Sequence, residues 1–549
     1  MKRLVVIIWM SISVAAVALA QAPWGEGGEI EDAKVIIEKD RKIELPKAPR
    51  NFEPAPPPAE DDRGGDIQYN FKDIVTRIPT ADPQIRVFTI KEDPLDKLYA
   101  NYVKLGIGNY LSPYAELFTN TKRNERFSAG LHARHFSSVY GPVDRRNSGT
   151  GENTVSVFGK HFGDAITVNG GIKYQRDKYY FYGYDPASEV DRDTIKQAFN
   201  LIAVNAGIKD NFSDSDISFS LNGDFKRLAD RFDARESQAN LAFNLDYLLS
   251  EELTATIKTS LLASKYSNEG SMSRTLFRIA PSFAYQLEAL TIEGGFNAVY
   301  DNDSLVNHQN LKLFPFINAA YSLVDGIQVY GSVSGDVKEQ TLSNFVNENP
   351  WLKPNVGLLH TIQPLVLAGG IKGVLAKSLA FDAGFSVGDY KNMHYYVNDP
   401  EDTTKFTILY DTHGTTLFNL YGELGFTASR VFRAGIRGDY YGYDVRSVAE
   451  AWHKPKYKLT ASGYYNIYDK IAVTAGAYFM GGIKAREPRG QEAIHLDAIA
   501  DLNFKLDYLF SDRFAAFLSF NNLLSKNYSR FLNYPSQGLL VMGGIGYSF

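Results

Sequence analysis

From Tyr99 onward, apolar and polar residues alternate one by one over segments of ten residues or more. In 494–508, Leu496, Ala498, Ala500, Leu502, Phe504, Leu506 and Tyr508 fall on one face. His495, Asp497, Asp501, Asn503, Lys505 and Asp507 fall on the other. Residues 217–226, 327–338 and 432–440 repeat the pattern, with Ile217, Phe225, Val329, Val333, Phe432 and Ile436 opposing Asp224, Lys226, Asp336, Lys338, Arg437 and Asp439. A period of two is a strand signal. A soluble sandwich alternates over ~5–6 residues per strand. Repetition of ten-residue segments to the C-terminus instead matches strands that face lipid on one side and a polar lumen on the other.

The composition fits. Tyr and Phe number 34 and 35 and Gly 45, while charged residues are 22%. Mean hydropathy is only −0.24. No run of ~18 apolar residues follows the N-terminus, so any membrane crossing must be made by a closed barrel. Cys is absent, which excludes disulfides, thiolate metal sites and a lipoprotein anchor. A net charge of −5 gives no footprint for nucleic acid, and no cofactor is expected.

The connections alternate between short and long. Gly163-Asp164, Ser213 to Asp216, Ser250 to Glu252, Asp325-Gly326, Ala376-Lys377, Ser429-Arg430, Asp469-Lys470 and Ser511-Asp512 read as tight turns. Loops are expected at 140–152, 183–194, 229–235, 266–272, 301–309, 338–360, 398–403, 446–454, 487–493 and 527–537. With about 20 residues per strand and connection, 99–549 holds 22 antiparallel strands, within a range of 18 to 22, and bacterial barrels require an even number. The expected fold is an all-β transmembrane barrel in a Gram-negative outer membrane, with turns on the periplasmic side.

Two segments precede it. Met1-Lys2-Arg3, an apolar stretch to about Val17 and Ala18-Leu19-Ala20 read as a secretory signal peptide over 1–20. Residues 21–98 read as a Pro-rich extended periplasmic tail, with Pro46, Pro49, Pro54 and Pro56 to Pro58 beside Glu60, Asp61 and Asp62. Only 35–45 and 84–90 there have a strand-like pattern. The last strand is expected to carry Leu539, Val541, Ile545, Tyr547 and Phe549 on one face, and Tyr547 and Phe549 are expected to be the signal read by the barrel-assembly machinery.

Asn347-Glu348-Asn349-Pro350-Trp351-Leu352-Lys353-Pro354 resembles the NPxLKP loop of TonB-dependent outer-membrane receptors, carried by Asn349, Pro350, Leu352, Lys353 and Pro354. Phe520 to Tyr528, then Asn533-Tyr534-Pro535 and the last strand, is similar to their penultimate hairpin. The resemblance implies a 22-strand barrel, a TonB box and a lumen plug that gates uptake of chelates, vitamins or glycans. Residues 21–98 are too short for such a plug. Asp32-Ala33-Lys34-Val35-Ile36-Ile37 has the acidic-then-aliphatic form of a TonB box; the alternative is a strand that docks on the barrel or a partner.

Other motifs are weaker. Gly384-Phe385-Ser386-Val387-Gly388 matches a nucleophile elbow, but it lies inside an alternating strand where that elbow needs a strand-to-helix turn. His161, His360, His394, His413 and His453 read as solvated. Tyr179 to Tyr182, Tyr395-Tyr396 and Tyr440 to Tyr443 read as an interfacial aromatic girdle. The expected function is passage of a solute across the outer membrane. The alternative is a scaffold or accessory subunit that holds a periplasmic or outer-membrane partner by its tail; a barrel enzyme is less favoured.

Overall fold

The computed structural model describes residues 99–122, 124–211, 215–303 and 310–549. The signal peptide, the tail, its two strand-like islands and the TonB-box-like segment lie outside the described residues. From Asn101–Gly108 to Leu540–Ser548, 22 antiparallel strands of 8 to 16 residues pair each with the next. The first and last strands pair from Tyr102↔Ser548 to Gly108↔Met542, which closes the ring. Closure removes every free edge, the condition for crossing hydrocarbon with strands.

The alternation sorts the faces. Ile172, Leu313, Leu420 and Ile545 point outward and stand exposed. The opposite positions are tied together by charge: Arg437 binds Glu423 and Asp439 at 3.0 Å each, Arg278 binds Asp336 at 2.9 Å, and Asp507 binds Lys505 at 2.7 Å. These pairs, two within a strand and two between strands, line the lumen. The Gly384 to Gly388 match sits within the Leu379–Lys391 strand, with Phe385 outward.

The eight turns read from the sequence all join neighbouring strands. Connections on that rim run from two to six residues; those on the other run from three to 23. Three connections lie outside the sequence reading, at 109–111, 121–126 and 287–289. In the first, Tyr110 and Leu111 hold φ of 59° and 50°, which neither residue type announces. Two loops are longer than expected. Residues 392–414 form one connection with its own hairpin, Met393–Asn398 against Phe406–Asp411. The alternating run 494–508 is broken, because Ala493–His495 pairs with Lys484–Arg486 and the wall strand starts at Ile499.

Candidate functional site

The long loops do not stand free above the barrel. They fold over its mouth and pack a core of buried residues, including Phe181, Tyr182, Phe345, Leu352, Tyr396, Phe406, Phe531 and Tyr534. The strand-end residues Phe199, Leu228 and Tyr266 belong to the same core, so the loops rest on the inner wall.

One loop is anchored there by charge. Residues 339–360 contain the helix Leu342–Glu348, whose first turn is capped when Thr341 Oγ1 accepts the N–H of Asn344 (3.3 Å). The N–H of Leu342 donates to Glu236 Oε2 at 2.7 Å. Glu236 lies on the lumen face of Arg235–Ser250 and pairs with Arg274 at 3.4 Å; both side chains are at most 1% exposed. Arg274 Nη2 donates in turn to the Gln340 carbonyl at 2.9 Å. A buried ion pair earns its place through such added hydrogen bonds.

The receptor-like motif follows the helix. Asn349 Oδ1 accepts the Trp351 N–H at 3.1 Å, which makes the turn. The chain then pairs with Phe406: its N–H donates to the Trp351 carbonyl (2.9 Å), and the Lys353 N–H donates to its carbonyl (2.8 Å). Leu352 is buried, and Lys353 forms an ion pair with Asp399. Pro350 and Pro354 fix the backbone on either side.

The motif delivers Trp351 to an aromatic junction. Its ring centroid lies 4.1 Å from Tyr534 and 5.7 Å from Tyr182, and Tyr182 lies 4.8 Å from Tyr534. Trp351 Nε1 donates to the Tyr180 carbonyl at 3.1 Å. Tyr534 is turned inward by the hairpin Ser529–Phe531 and Tyr534–Pro535, whose Asn533 adopts a φ of 67°.

The three loops leave the fifth, thirteenth and twenty-first strands of the ring, so their roots are eight, eight and six strands apart. With strands ~4.8 Å apart and tilted ~40°, a 22-strand barrel is about 40 Å across. Rings that touch from three such roots must lie over the lumen. The junction is therefore a lid.

A polar cluster secures it. Glu348 Oε1 accepts from Lys454 (2.8 Å), while Oε2 accepts from the Tyr396 hydroxyl (3.0 Å) and lies 2.8 Å from His394 Nε2, so three loops meet at one carboxylate. Burial works against that charge, but the Lys454 ammonium and His394 hold the carboxyl well below its usual range. His453 joins a further pair: Nδ1 lies 2.8 Å from the Tyr396 carbonyl, and Nε2 accepts the Leu532 N–H at 3.2 Å. Burial pushes its pKa down to about 4, so it is neutral at pH 7.

Several expectations change here. His360 and His453 are buried and His394 nearly so; none of the three is solvated, and each uses one or both ring nitrogens in the lid: His360 Nδ1 accepts the Gln340 N–H, His394 Nε2 meets Glu348, and both His453 nitrogens are bonded. His161 and His413 are exposed as expected. Tyr180 to Tyr182 and Tyr395-Tyr396 are not a girdle but lid core. Tyr440 does face outward, while Tyr441 and Tyr443 stack on each other at 6.2 Å on the other face. Tyr547 and Phe549 stack at 5.5 Å, outside the seam on the rim of short turns. The Glu236–Arg274 pair was missed; its residues sit on lumen positions, but nothing in the sequence brings the eighth and tenth strands under one loop.

No protein-family model matches the sequence, and no curated protein matches it. Solved structures do match. The siderophore receptor PirA from Acinetobacter baumannii is 12% identical with a TM-score of 0.63, covering 83% of this chain and 81% of that one. The FrpB iron transporter from Neisseria meningitidis is 9% identical with a TM-score of 0.63, covering 83% of each chain. The ferric-catecholate import receptor Fiu from E. coli K12 is 11% identical with a TM-score of 0.62, covering 83% and 82%. The barrel is thus the 22-strand fold of outer-membrane iron and siderophore receptors, which are transport proteins rather than enzymes.

Proposed function

We propose that this chain is a gated uptake channel of the outer membrane of a Gram-negative bacterium, closed at rest by its own surface loops. The observation that carries the reading is the contact of Tyr182, Trp351 and Tyr534 over the lumen. A barrel this wide leaves an open hole unless something fills it, and here packed loops span the mouth. Solute passage then requires the junction to part. The fold of known iron and siderophore receptors supports an uptake role, and an iron chelate is the class of cargo it favours. Lipids of the outer membrane surround the barrel in this reading, and residues 21–98 hold any periplasmic partner.

The test is planar-bilayer conductance of the full chain. The native protein should be closed or nearly so. Trp351→Ala with Tyr534→Ala should open large, stable conductance while the barrel stays heat-modifiable. Low conductance in both would remove the gate. Stoichiometric partners that co-purify with the full chain and are lost on deletion of 21–80, with conductance unchanged, would favour the scaffold reading instead.

A further inference from the structure

We infer that the outer rim of the barrel between its fifth and ninth strands is a binding surface for a lipid headgroup that carries two phosphates. The inference rests on the membrane-embedded reading above. The fifth strand, Ile166–Tyr180, points Ile172 and Tyr174 to the outside and then, in the same alternation, Arg176 and Lys178. On Lys196–Asp210 the outward sequence toward the loops is Ile202, Asn200, Ala198 and Lys196. On Ile217–Ala229, Arg227 follows Phe225. On Leu253–Ser267, Lys265 follows Leu261 and Ala263.

Each cation thus stands one to three outward positions beyond the last large apolar side chain, where hydrocarbon gives way to headgroups. The register makes the band continuous. Arg227 pairs with Ser237, and Ser237 with Lys265. Arg176 lies between Asn153 and Asn200. Lys178 Nζ and the Arg192 guanidinium stand over one ring, Tyr180, at 5.8 and 4.8 Å from its centroid, which gathers two cations at one point.

The outward positions interleaved with these cations, Asn153, Asn200, Ser237 and Ser273, are neutral. None of Arg176, Lys178, Lys196, Arg227 and Lys265 has a carboxylate partner among the described residues, whereas the neighbouring Arg235 pairs with Asp233 at 2.9 Å. Two of the four acids of the adjoining loop are turned to local work: Asp185 and Asp191 accept the N–H groups of Ala187 and Asp193. Elsewhere on the rim the pattern differs. Leu311 and Leu313 stay apolar and exposed to the loop end of their strand.

Cations gathered without ion-pair partners of their own favour an added anion. The band from Arg176 to Lys265 crosses four strand spacings, ~19 Å, which is too wide for one phosphate. It sits beside hydrocarbon, which suits a lipid. A headgroup with two phosphates satisfies both.

The probe is purified lipid A, added to the full chain in nonionic detergent and followed by native mass spectrometry. The wild type should retain it at low salt. Arg176→Gln, Lys178→Gln, Arg227→Gln and Lys265→Gln together should weaken retention by roughly tenfold or more, since each near-surface cation contributes separately. A control with Lys122→Gln and Lys526→Gln should behave as wild type. Equal retention by a heat-modifiable quadruple variant would overturn the inference, as would inorganic phosphate displacing the lipid or phosphatidylcholine being held equally well. If the quadruple variant does not fold, the wild type decides through salt: retention must fall as screening rises, and salt-independent retention overturns it. A wild type that never becomes heat-modifiable would instead sink the barrel reading.

Discussion

The ring of Phe517 lies over Gly544, its partner across the last two strands. A Cβ on Gly544 would collide with Phe517 Cε1 and with the Leu105 carbonyl oxygen. Gly544 pairs in turn with Gly106 on the first strand, where a Cβ would stand 2.7 Å from Phe517 Cζ. One ring therefore bridges the closing seam, with Lys104 Nζ 4.1 Å from its centroid. Both glycines leave the space it occupies.

The seam gives an ordered pair of expectations. At Gly544 a backbone carbonyl blocks the new methyl, so Gly544→Ala should destabilise by ~1–3 kcal/mol, in the range of overpacked sites. At Gly106 the nearest obstacle is a side chain that can shift, so Gly106→Ala should cost less. Urea midpoints of heat-modifiable protein measure both. Equal effects would show that the ring does not seat at the seam.

The register is open to a second measurement. Leu420 faces outward and Asn419 inward, beside Tyr441. Leu420→Arg should cost roughly 2–4 kcal/mol near the midplane, while Asn419→Arg should be tolerated. The reverse order would mean that the faces are exchanged.

The barrel was legible because one physical constraint repeats along it. Lipid outside and water inside force the same alternation on Ile217 to Lys226 as on Ile499 to Tyr508, and Asp325-Gly326 turns where it must. The lid was legible only in fragments. The receptor-like motif and Asn533-Tyr534-Pro535 are both visible in sequence, yet their meeting depends on roots eight strands apart. Tyr182 and Tyr396 look like girdle residues because strand-end aromatics are common at both interfaces. Only the inward fold of their loops makes them core. The histidines misled for the same reason: a loop position suggests water until several loops close on one another.

The lid's anchor should fail locally. Arg274→Met leaves Glu236 buried without its partner, a change that costs ~3–5 kcal/mol when the site cannot relax. Here the loop can lift, so the expected result is protease cleavage within 339–360 while the barrel stays heat-modifiable. Glu236→Gln added to Arg274→Met should restore much of the protection. Unfolding of the whole barrel by the single variant would show that the pair holds the wall and not the loop.

Acid should loosen the lid through His453. In the folded state its Nε2 accepts the Leu532 N–H, so protonation there breaks a bond between two loops and charges a buried ring. Lys454 and Arg530 add repulsion to that charge. Released, the imidazole takes its proton near pH 6.5; in place it does so only near pH 4. The loosened state therefore binds the extra proton between those values, and lid stability falls as pH drops through that window, then levels off below it. A shift of this size corresponds to about 3 kcal/mol. Glu348 acts lower still, since its carboxyl stays charged until well below the usual range and its ties to Lys454 and His394 are lost only then. Trp351 and Trp452 both report on the lid from buried or half-buried positions, so their fluorescence should change between pH 6.5 and 4 before the barrel unfolds. In His453→Gln that step should shrink, leaving the part carried by the buried His360 and His394, whose pKa values burial also lowers, together with any change below pH 4. A step unaltered by the substitution would assign the acid response to another group.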